Sequence, residues 1–315
     1  MQGQKKSGTI SFADYELSRR GYRNETLERL NALVDWESFR TVLSTIYAST
    51  GRHSYDPVVM LKALILQILY SLSDRELENS LADRISFQRF LGIAIDDDIP
   101  DFTTLCRFRN QLAKRGLAEK LFQRFSQLLD ARGMSVKKGV MVDATLIESA
   151  AKRPSKKKKS KDLDARWGGK GGHQCHGSKA HISVDADTGF ILDVEVTAAN
   201  VHDTKVFEEL LPPETEVVLA DSAYRSKARE RWLQEHGIAS GISEKGCRHK
   251  KLTNEQRHRN RKLAEIRNAV ERPFATLKRI FKLRRAWYVG IERVTNQFRL
   301  AFLAMNMKKL CVLSL

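Results

Sequence analysis

Apolar residues recur at helical spacing through the first part of the chain. The most apolar stretch, residues 58–72, follows Asp56 and Pro57, a pair that typically starts a helix. Another stretch, residues 117–133, repeats apolar positions with the same spacing and ends at a glycine. The pattern predicts an all-helical region over residues 1–137.

Further helix signals lie between these stretches. Ser73 and Glu76 have the spacing of a capping box, and Asp101 opens a basic helix that brings Arg107 and Arg109 near each other. Several short helices that end in a basic one indicate a helix-turn-helix-like DNA reader. A plain helical bundle whose arginines face solvent has the same pattern. Both interpretations stay open, and the two arginines are candidate DNA contacts.

The periodicity changes after Lys138, where short apolar runs separated by turn residues replace the helical repeat. Buried strands are predicted at residues 139–147, 216–223 and 238–243, and a hairpin at residues 179–199. Helical patterns alternate with these strands at residues 201–211, 226–237, 253–282 and 294–310. This order predicts an α/β domain in which a mixed sheet is flanked by helices.

A polar, cationic and glycine-rich segment, residues 151–177, separates the first strand from the hairpin and predicts a basic loop. It contains an unbroken lysine run, Lys156, Lys157, Lys158 and Lys159. Such a run is either a solvated block of charge or an arm that follows a DNA backbone. The changes in pattern predict two domains, residues 1–137 and 138–315, with the basic loop in the second.

The chain of 315 residues carries 55 Lys and Arg against 38 Asp and Glu, a formal net charge of +17. Such an excess of cations favours nucleic acid as the partner, although a ribosome-associated or simply basic protein has the same balance. The hydrophobic fraction of 42% excludes a disordered chain. Cysteines without paired spacing, an N-terminus without an apolar core and no membrane-length apolar run predict a cytoplasmic, nucleoid-associated protein.

Three carboxylates stand in contexts that suggest a common site. Asp143 and Asp221 end apolar runs that are predicted as strands, whereas Glu271 lies on the basic helix between Arg267 and Lys278, which share its face. Two divalent cations about 3.5–4 Å apart, held by carboxylate oxygens, can cut or exchange a phosphodiester. Each acid alone also fits a turn, a cap or a surface ion pair. Together they predict a metal site against DNA phosphates.

The strings VMVDAT, ADSAYRS and RNAVERPFATLKR resemble the three acidic motifs of DDE transposases of the insertion-sequence-five group. The helical start resembles that group's N-terminal transposase domain, so the resemblance covers nearly the whole chain. It implies a ribonuclease-H-like fold for the second domain. It also implies that Asp143, Asp221 and Glu271 are the catalytic, metal-binding triad and that Arg267 and Lys278 contact phosphates.

The resemblance further implies that the protein binds double-stranded DNA, both at the terminal inverted repeats of a mobile element and at a target. Cleavage of the element ends and joining of their 3′ hydroxyls would use two Mg²⁺ ions, for which Mn²⁺ can substitute. Coordinated cutting of two ends implies at least a dimer in the DNA complex. Two alternatives stay open: a metal-dependent nuclease without strand transfer, and a domesticated DNA-binding protein without catalysis.

Overall fold

The computed structural model of the chain describes residues 24–47, 54–134, 136–155, 158–169, 174–246 and 251–314. It divides into two compact units, each described by itself below. The helical unit comprises Met1–Phe125 and Arg299–Leu315, and the sheet unit comprises Ser126–Phe298.

Helices make up the regular structure of the helical unit within the described residues. They are α1 (Glu25–Leu33), α2 (Arg40–Leu43), α3 (Pro57–Leu69), α4 (Asp74–Asp83), α5 (Ile85–Leu91), α6 (Phe102–Lys114), the start of α7 (Leu117–Ala131) and the end of α11 (Ile291–Leu313). Side-chain caps set several of the starts. Asp56 accepts a hydrogen bond from the Val58 amide at 2.7 Å, Ser73 and Glu76 form a reciprocal capping box, and Asp101 caps α6. The predicted helix starts are therefore confirmed.

Helix α3 lies at the centre of the core of this unit. Its residues Met60, Leu61, Ile65 and Leu66 are fully buried. Burial on nearly all sides explains why this segment has no polar stripe in the sequence. In the part of the chain that the structure describes, no single helix is long and apolar enough to cross a membrane, and α3 and α4 meet that test only jointly, across a bend of 108°.

A buried ion pair joins α4 and α6. Arg109 is only 5% exposed, and its guanidinium donates to both carboxylate oxygens of Asp74 at 2.7 and 2.6 Å and to Gln67 at 3.2 Å. Burial acts to raise the pKa of Asp74, but the bonds from Arg109 bring the net shift below the ordinary value. This pairing corrects the expectation that Arg109 lies on a DNA-facing surface; the nearby Arg107 is exposed.

In the described part of the sheet unit there are six strands: β1 (Gly139–Glu148), β2 (Arg166–Gly168), β3 (Cys175–Asp185), β4 (Ile191–Ala198), β5 (Val217–Ala220) and β6 (Ala239–Ile242). The order is β2-β3-β1-β5-β6, and β4 also pairs with β3. Strand β1 is antiparallel to β3 and parallel to β5, which is parallel to β6. The helices of this unit include α8 (Lys227–Glu235), α9 (Asn254–Arg267) and α10 (Glu271–Ala275). This mixed sheet with flanking helices confirms the predicted ribonuclease-H-like fold.

Apolar side chains on β1 and β5 form one core of the sheet unit. Val140, Val142 and Val218 pack with Phe207 and Tyr224, which come from the connections that precede and follow β5. The core therefore reaches the point where β5 ends, and it fixes the backbone from which Asp221 extends.

Residues 201–211 do not form the predicted helix. They contain a single 3-10 turn, Asp203–Lys205, followed by turns that bury Phe207. Two causes act against a helix here. The Thr204 carbonyl accepts a hydrogen bond from the Arg229 side chain at 2.7 Å, and two prolines follow directly.

The predicted long helix over residues 253–282 is divided. Helix α9 ends at Arg267, a 3-10 turn spans Asn268–Val270, and α10 is followed by a π-helical turn at Thr276–Ile280. Pro273 explains the break, because it lacks an N–H group and its ring clashes with the carbonyl four residues earlier in an α-helix.

We expect Arg109→Ala to lower the free energy of unfolding by about 3–5 kcal/mol, because it leaves the Asp74 carboxylate partly buried without its partner. Urea unfolding at pH 7, followed by circular dichroism, measures this loss. Arg107→Ala is the matched control on the same helix and should change stability by less than about 0.5 kcal/mol. Equal effects of the two substitutions would contradict the assignment.

Candidate active site

Asp143 and Asp221 occupy adjacent positions on neighbouring parallel strands. The last pair that β1 and β5 form with each other is Val142 and Ala220, and the two aspartates come next on each chain segment. Neighbouring strands lie about 4.8 Å apart, so the two aspartates start from nearly the same point of the sheet, where β5 has ended and β1 continues beside β3. The pairing register of the sheet is therefore what brings together two acids that are far apart in the sequence.

The environment of Asp143 favours its protonated form. Burial is the main cause that raises the pKa of Asp143 to about 6, and Asp221 and Asp203 add to the rise. The hydrogen bond from the Ala144 amide at 2.8 Å and the positive charge of Arg267 act in the opposite direction. Asp143 therefore lies within electrostatic range of two other carboxylates and one arginine.

Asp221 is exposed and caps the 3-10 turn that follows β5. Its carboxylate accepts a hydrogen bond from the Ser222 amide, and the turn runs from Ser222 to Tyr224. The cap restrains the carboxylate at the strand end while leaving oxygen lone pairs for other partners. The structural role of a cap, which the sequence also suggested, is thus compatible with a role in the site.

Glu271 is the first residue of α10 and is exposed. It directly follows the buried Val270, whose 3-10 turn packs against β1. Among the described residues, no three Asp, Glu, His or Cys side chains form a group that could hold a metal ion. The structure therefore brings Asp143 and Asp221 together with Arg267 nearby, and it leaves Glu271 outside a common cluster.

Asp203 is a member of this environment that the sequence interpretation missed. Its carboxylate accepts a hydrogen bond from Lys179 at 2.6 Å, and it contributes to the raised pKa of Asp143. The cap of its 3-10 turn is His202, so the Asp203 carboxylate is left to bind Lys179. A usable signal was present, because Lys179 lies in a strand that is otherwise buried, where a cation requires an acidic partner.

The Tyr224 hydroxyl is a further group that sequence reasoning did not single out. The side chain is 2% exposed, and its hydroxyl has no hydrogen-bond partner among the described residues. Burial raises the pKa of Tyr224, and Asp203, Asp143 and Asp221 add to that rise. Its ring packs against Phe207 with centroids 5.4 Å apart. The phenol therefore lies between the core and the acidic edge of the sheet.

The predicted DNA contacts have different surroundings. Lys278 is half-buried and donates to the Thr145 hydroxyl on β1 at 2.5 Å, and burial lowers its pKa. Lys158 and Lys159 are exposed, whereas Lys156 and Lys157 lie outside the described residues.

Two comparisons with protein families agree with this arrangement. Residues 15–111 match the family described as Transposase domain (DUF772), and residues 134–307 match the Transposase DDE domain.

A ribonuclease-H-like sheet with paired acids defines a class of nucleic-acid enzymes. The second match covers more than half of the chain, so the chain belongs to the DDE transposase family and is a DNA transposase. Members of this family bind DNA and depend on divalent metal ions. The insertion-sequence-five assignment within the family stays a prediction.

The carboxylates of Asp143 and Asp221 are suitable ligands for a divalent metal ion. Asp143 and Asp221 offer only carboxylate oxygens, which are the ligands that hard cations such as Mg²⁺ prefer. Bringing two ionised carboxylates together is unfavourable unless a cation offsets their repulsion, and Arg267 supplies only part of that charge.

We expect Asp143→Asn to stabilise the metal-free protein by about 1–3 kcal/mol at pH 7.5. The pKa of Asp143 in the folded state, about 6, exceeds the unfolded value of about 3.9, so the ionised carboxylate opposes folding above pH 6. This cost disappears as the pH falls below about 4, and the gain from the substitution should disappear with it. Thermal unfolding in EDTA at both pH values measures the difference.

The exposed Asp221 provides the control for this measurement. Asp221→Asn should give a smaller gain at pH 7.5, because solvent already screens this carboxylate. A gain in stability from Asp143→Asn that persists unchanged at pH 4 would contradict the electrostatic explanation.

Proposed function

We propose that this transposase binds the terminal inverted repeats of a mobile element, cleaves the element ends and joins their 3′ hydroxyls to target DNA. Asp143, Asp221 and Glu271 are the proposed ligands of two Mg²⁺ ions, with Mn²⁺ as a substitute. The observation that carries the proposal is the adjacent placement of Asp143 and Asp221 on parallel strands. Bound cations would activate the attacking oxygen and neutralise the leaving oxygen.

Each residue of the proposed site has a distinct task. Asp143 and Asp221 hold the cations at the sheet edge, and Glu271 completes the ligand set from the start of α10. Arg267 offsets part of the carboxylate charge and then pairs with a DNA phosphate. Lys278 exchanges its bond to Thr145 for a phosphate. Exposure of Glu271 supports this role, because an exposed side chain is accessible to DNA and cations together.

The remaining predicted contacts concern DNA outside the acidic site. Arg107 and the lysine run Lys156–Lys159 would contact the backbone without sequence choice. Residues 1–137 would recognise the element ends and assemble at least a dimer in the DNA complex. Residues 138–315 would carry the chemistry. A high net positive charge, +17, supports DNA as the partner of both.

Purified protein, Mg²⁺ and a plasmid that carries the flanking inverted repeats test the site. Wild type should cut at the repeat ends. Asp143→Asn, Asp221→Asn and Glu271→Gln should each reduce cleavage to below about one hundredth, because even groups that only orient metal ligands contribute 10–100-fold. Each variant should keep its gel-shift affinity, measured in Ca²⁺. Substantial cutting by all three variants would refute the assignment.

The same reaction separates the alternatives. Joined products with target DNA identify a transposase, whereas cut ends that never join identify a nuclease. Binding to the repeats without any metal-dependent cutting by wild type would favour a domesticated DNA-binding protein. Short inverted repeats on both sides of the gene, with duplicated bases outside them, would support transposition independently.

A further inference from the structure

Helix α9 lacks the usual means by which a helix is held against a domain. It spans 14 residues and has no buried side chain, yet it carries five Lys and Arg residues. An isolated helix of this length is marginal in water, and close cations weaken it further. Most helices in proteins are stabilised by packing of an apolar face, which α9 does not have. Polar contacts must therefore hold it in place.

The contacts converge on Glu244, which lies just beyond the end of β6. The Glu244 amide donates to Asn260 Oδ1 at 2.9 Å, and Asn260 Nδ2 donates to the Glu244 carbonyl at 3.0 Å. One side-chain amide thus satisfies both backbone groups of a residue, as a neighbouring strand would. Asn260 thereby attaches α9 to the chain segment that continues from the sheet.

The Glu244 carboxylate makes a second set of bonds to the same helix. It accepts from Gln256 Nε2 at 2.7 Å and from Arg259 Nη1 at 3.1 Å. Gln256 also accepts from the Thr253 amide at 2.9 Å as part of the capping box of α9. One acidic residue therefore links the start and the middle of the helix to the sheet. We call Glu244, Asn260 and Gln256 the polar clamp.

The clamp determines which way the end of α9 faces. Asn260 and Arg267 are two helical turns apart and share one face. A helix attached at Asn260 therefore presents Arg267 to the same side, where Arg267 lowers the pKa of Asp143. Rotation by one residue, about 100°, would carry Arg267 away from Asp143 and would also move the start of α10 with Glu271.

We infer that Glu244 and Asn260 are positioning residues of the active site. They keep Arg267 beside Asp143 and fix the start of α10, from which Glu271 extends. The inference rests on the proposed function, since it names residues that support the same site. It concerns orientation only, because neither residue touches the reacting atoms.

Hydrogen–deuterium exchange of the full chain tests whether the clamp holds α9. In Asn260→Ala and Glu244→Gln, the amides of residues 254–267 should exchange about tenfold faster or more. The first substitution removes both bonds to the Glu244 backbone, and the second removes the negative charge and one of the two acceptor oxygens that bind Gln256 and Arg259. Amides in β1 and β3 should not change. Asn254→Ala is the matched control, since Asn254 is an exposed asparagine on the same helix. Unchanged exchange of α9 in both clamp variants would overturn the inference.

Cleavage kinetics test whether the clamp serves the site. Asn260→Ala should slow cleavage at saturating DNA by about 10–100-fold, because small misplacements of a reacting group cost this much. It should also raise the Mg²⁺ concentration for half-maximal rate, whereas Asn254→Ala should do neither. Combining Asn260→Ala with Arg267→Gln should slow the reaction little further, since both remove the same contact. Additive losses would overturn the inference.

Exchanging the side chains of Glu244 and Gln256 tests whether the lost contact can be restored. The double variant Glu244→Gln/Gln256→Glu restores one amide–carboxylate bond with the roles exchanged, and a glutamate can still accept from the Thr253 amide. It should exchange more slowly and cleave faster than Glu244→Gln alone; no recovery of either would contradict the clamp.

Fast exchange in α9 with normal cleavage would overturn the inference and leave the proposed function standing. Failure of the wild type to cleave at all would overturn both.

Discussion

The candidate site of the sheet unit depends on the placement of two like charges on neighbouring parallel strands. Asp143 and Asp221 follow the last residues that β1 and β5 pair with each other, so the register between these two strands sets their separation. Partial burial makes this arrangement costly for Asp143, whose pKa rises to about 6. Three surrounding groups limit that cost: a nearby arginine, a backbone amide and a capped turn. A pair of carboxylates of this kind is unfavourable in isolation and well suited to a divalent cation.

Cationic side chains have two different roles in this chain. Arg109 and Arg229 are buried and have most of their donors bound to acids or carbonyl oxygens, so they act as structural links. Helix α9 keeps its cations outside the core and is held through one acidic residue, Glu244. The same residue type therefore supports the fold in one place and leaves positive charge near the active site in another.

Local patterns in the sequence predicted the parts of the fold that depend on local chemistry. The capping box at Ser73 and the strand that ends directly before Asp221 each have a short-range signal, and each is present in the structure, whereas β1 continues past Asp143 to Glu148. The break after Arg267 also had a signal, Pro273, but the helical pattern on both sides outweighed it in the prediction. These features needed no knowledge of distant partners.

The remaining features depend on partners that are distant in the chain. Arg109 has the sequence context of a surface cation, and only the fold shows that Asp74 lies against it. Likewise, only the fold shows that Lys179 binds Asp203. The bonds between Glu244 and Asn260 join two polar residues that a sequence pattern assigns to solvent. Such pairs have no signal in the sequence, because their residues are also common on protein surfaces. Only the tertiary fold shows which polar groups meet.

The 3-10 turn between α9 and α10 has one more consequence. The turn is anchored, because Val270 is fully buried and the turn packs against β1. Arg267 closes α9 and Glu271 opens α10, so this one anchored turn sets the direction in which both the cation and the acid of the motif extend.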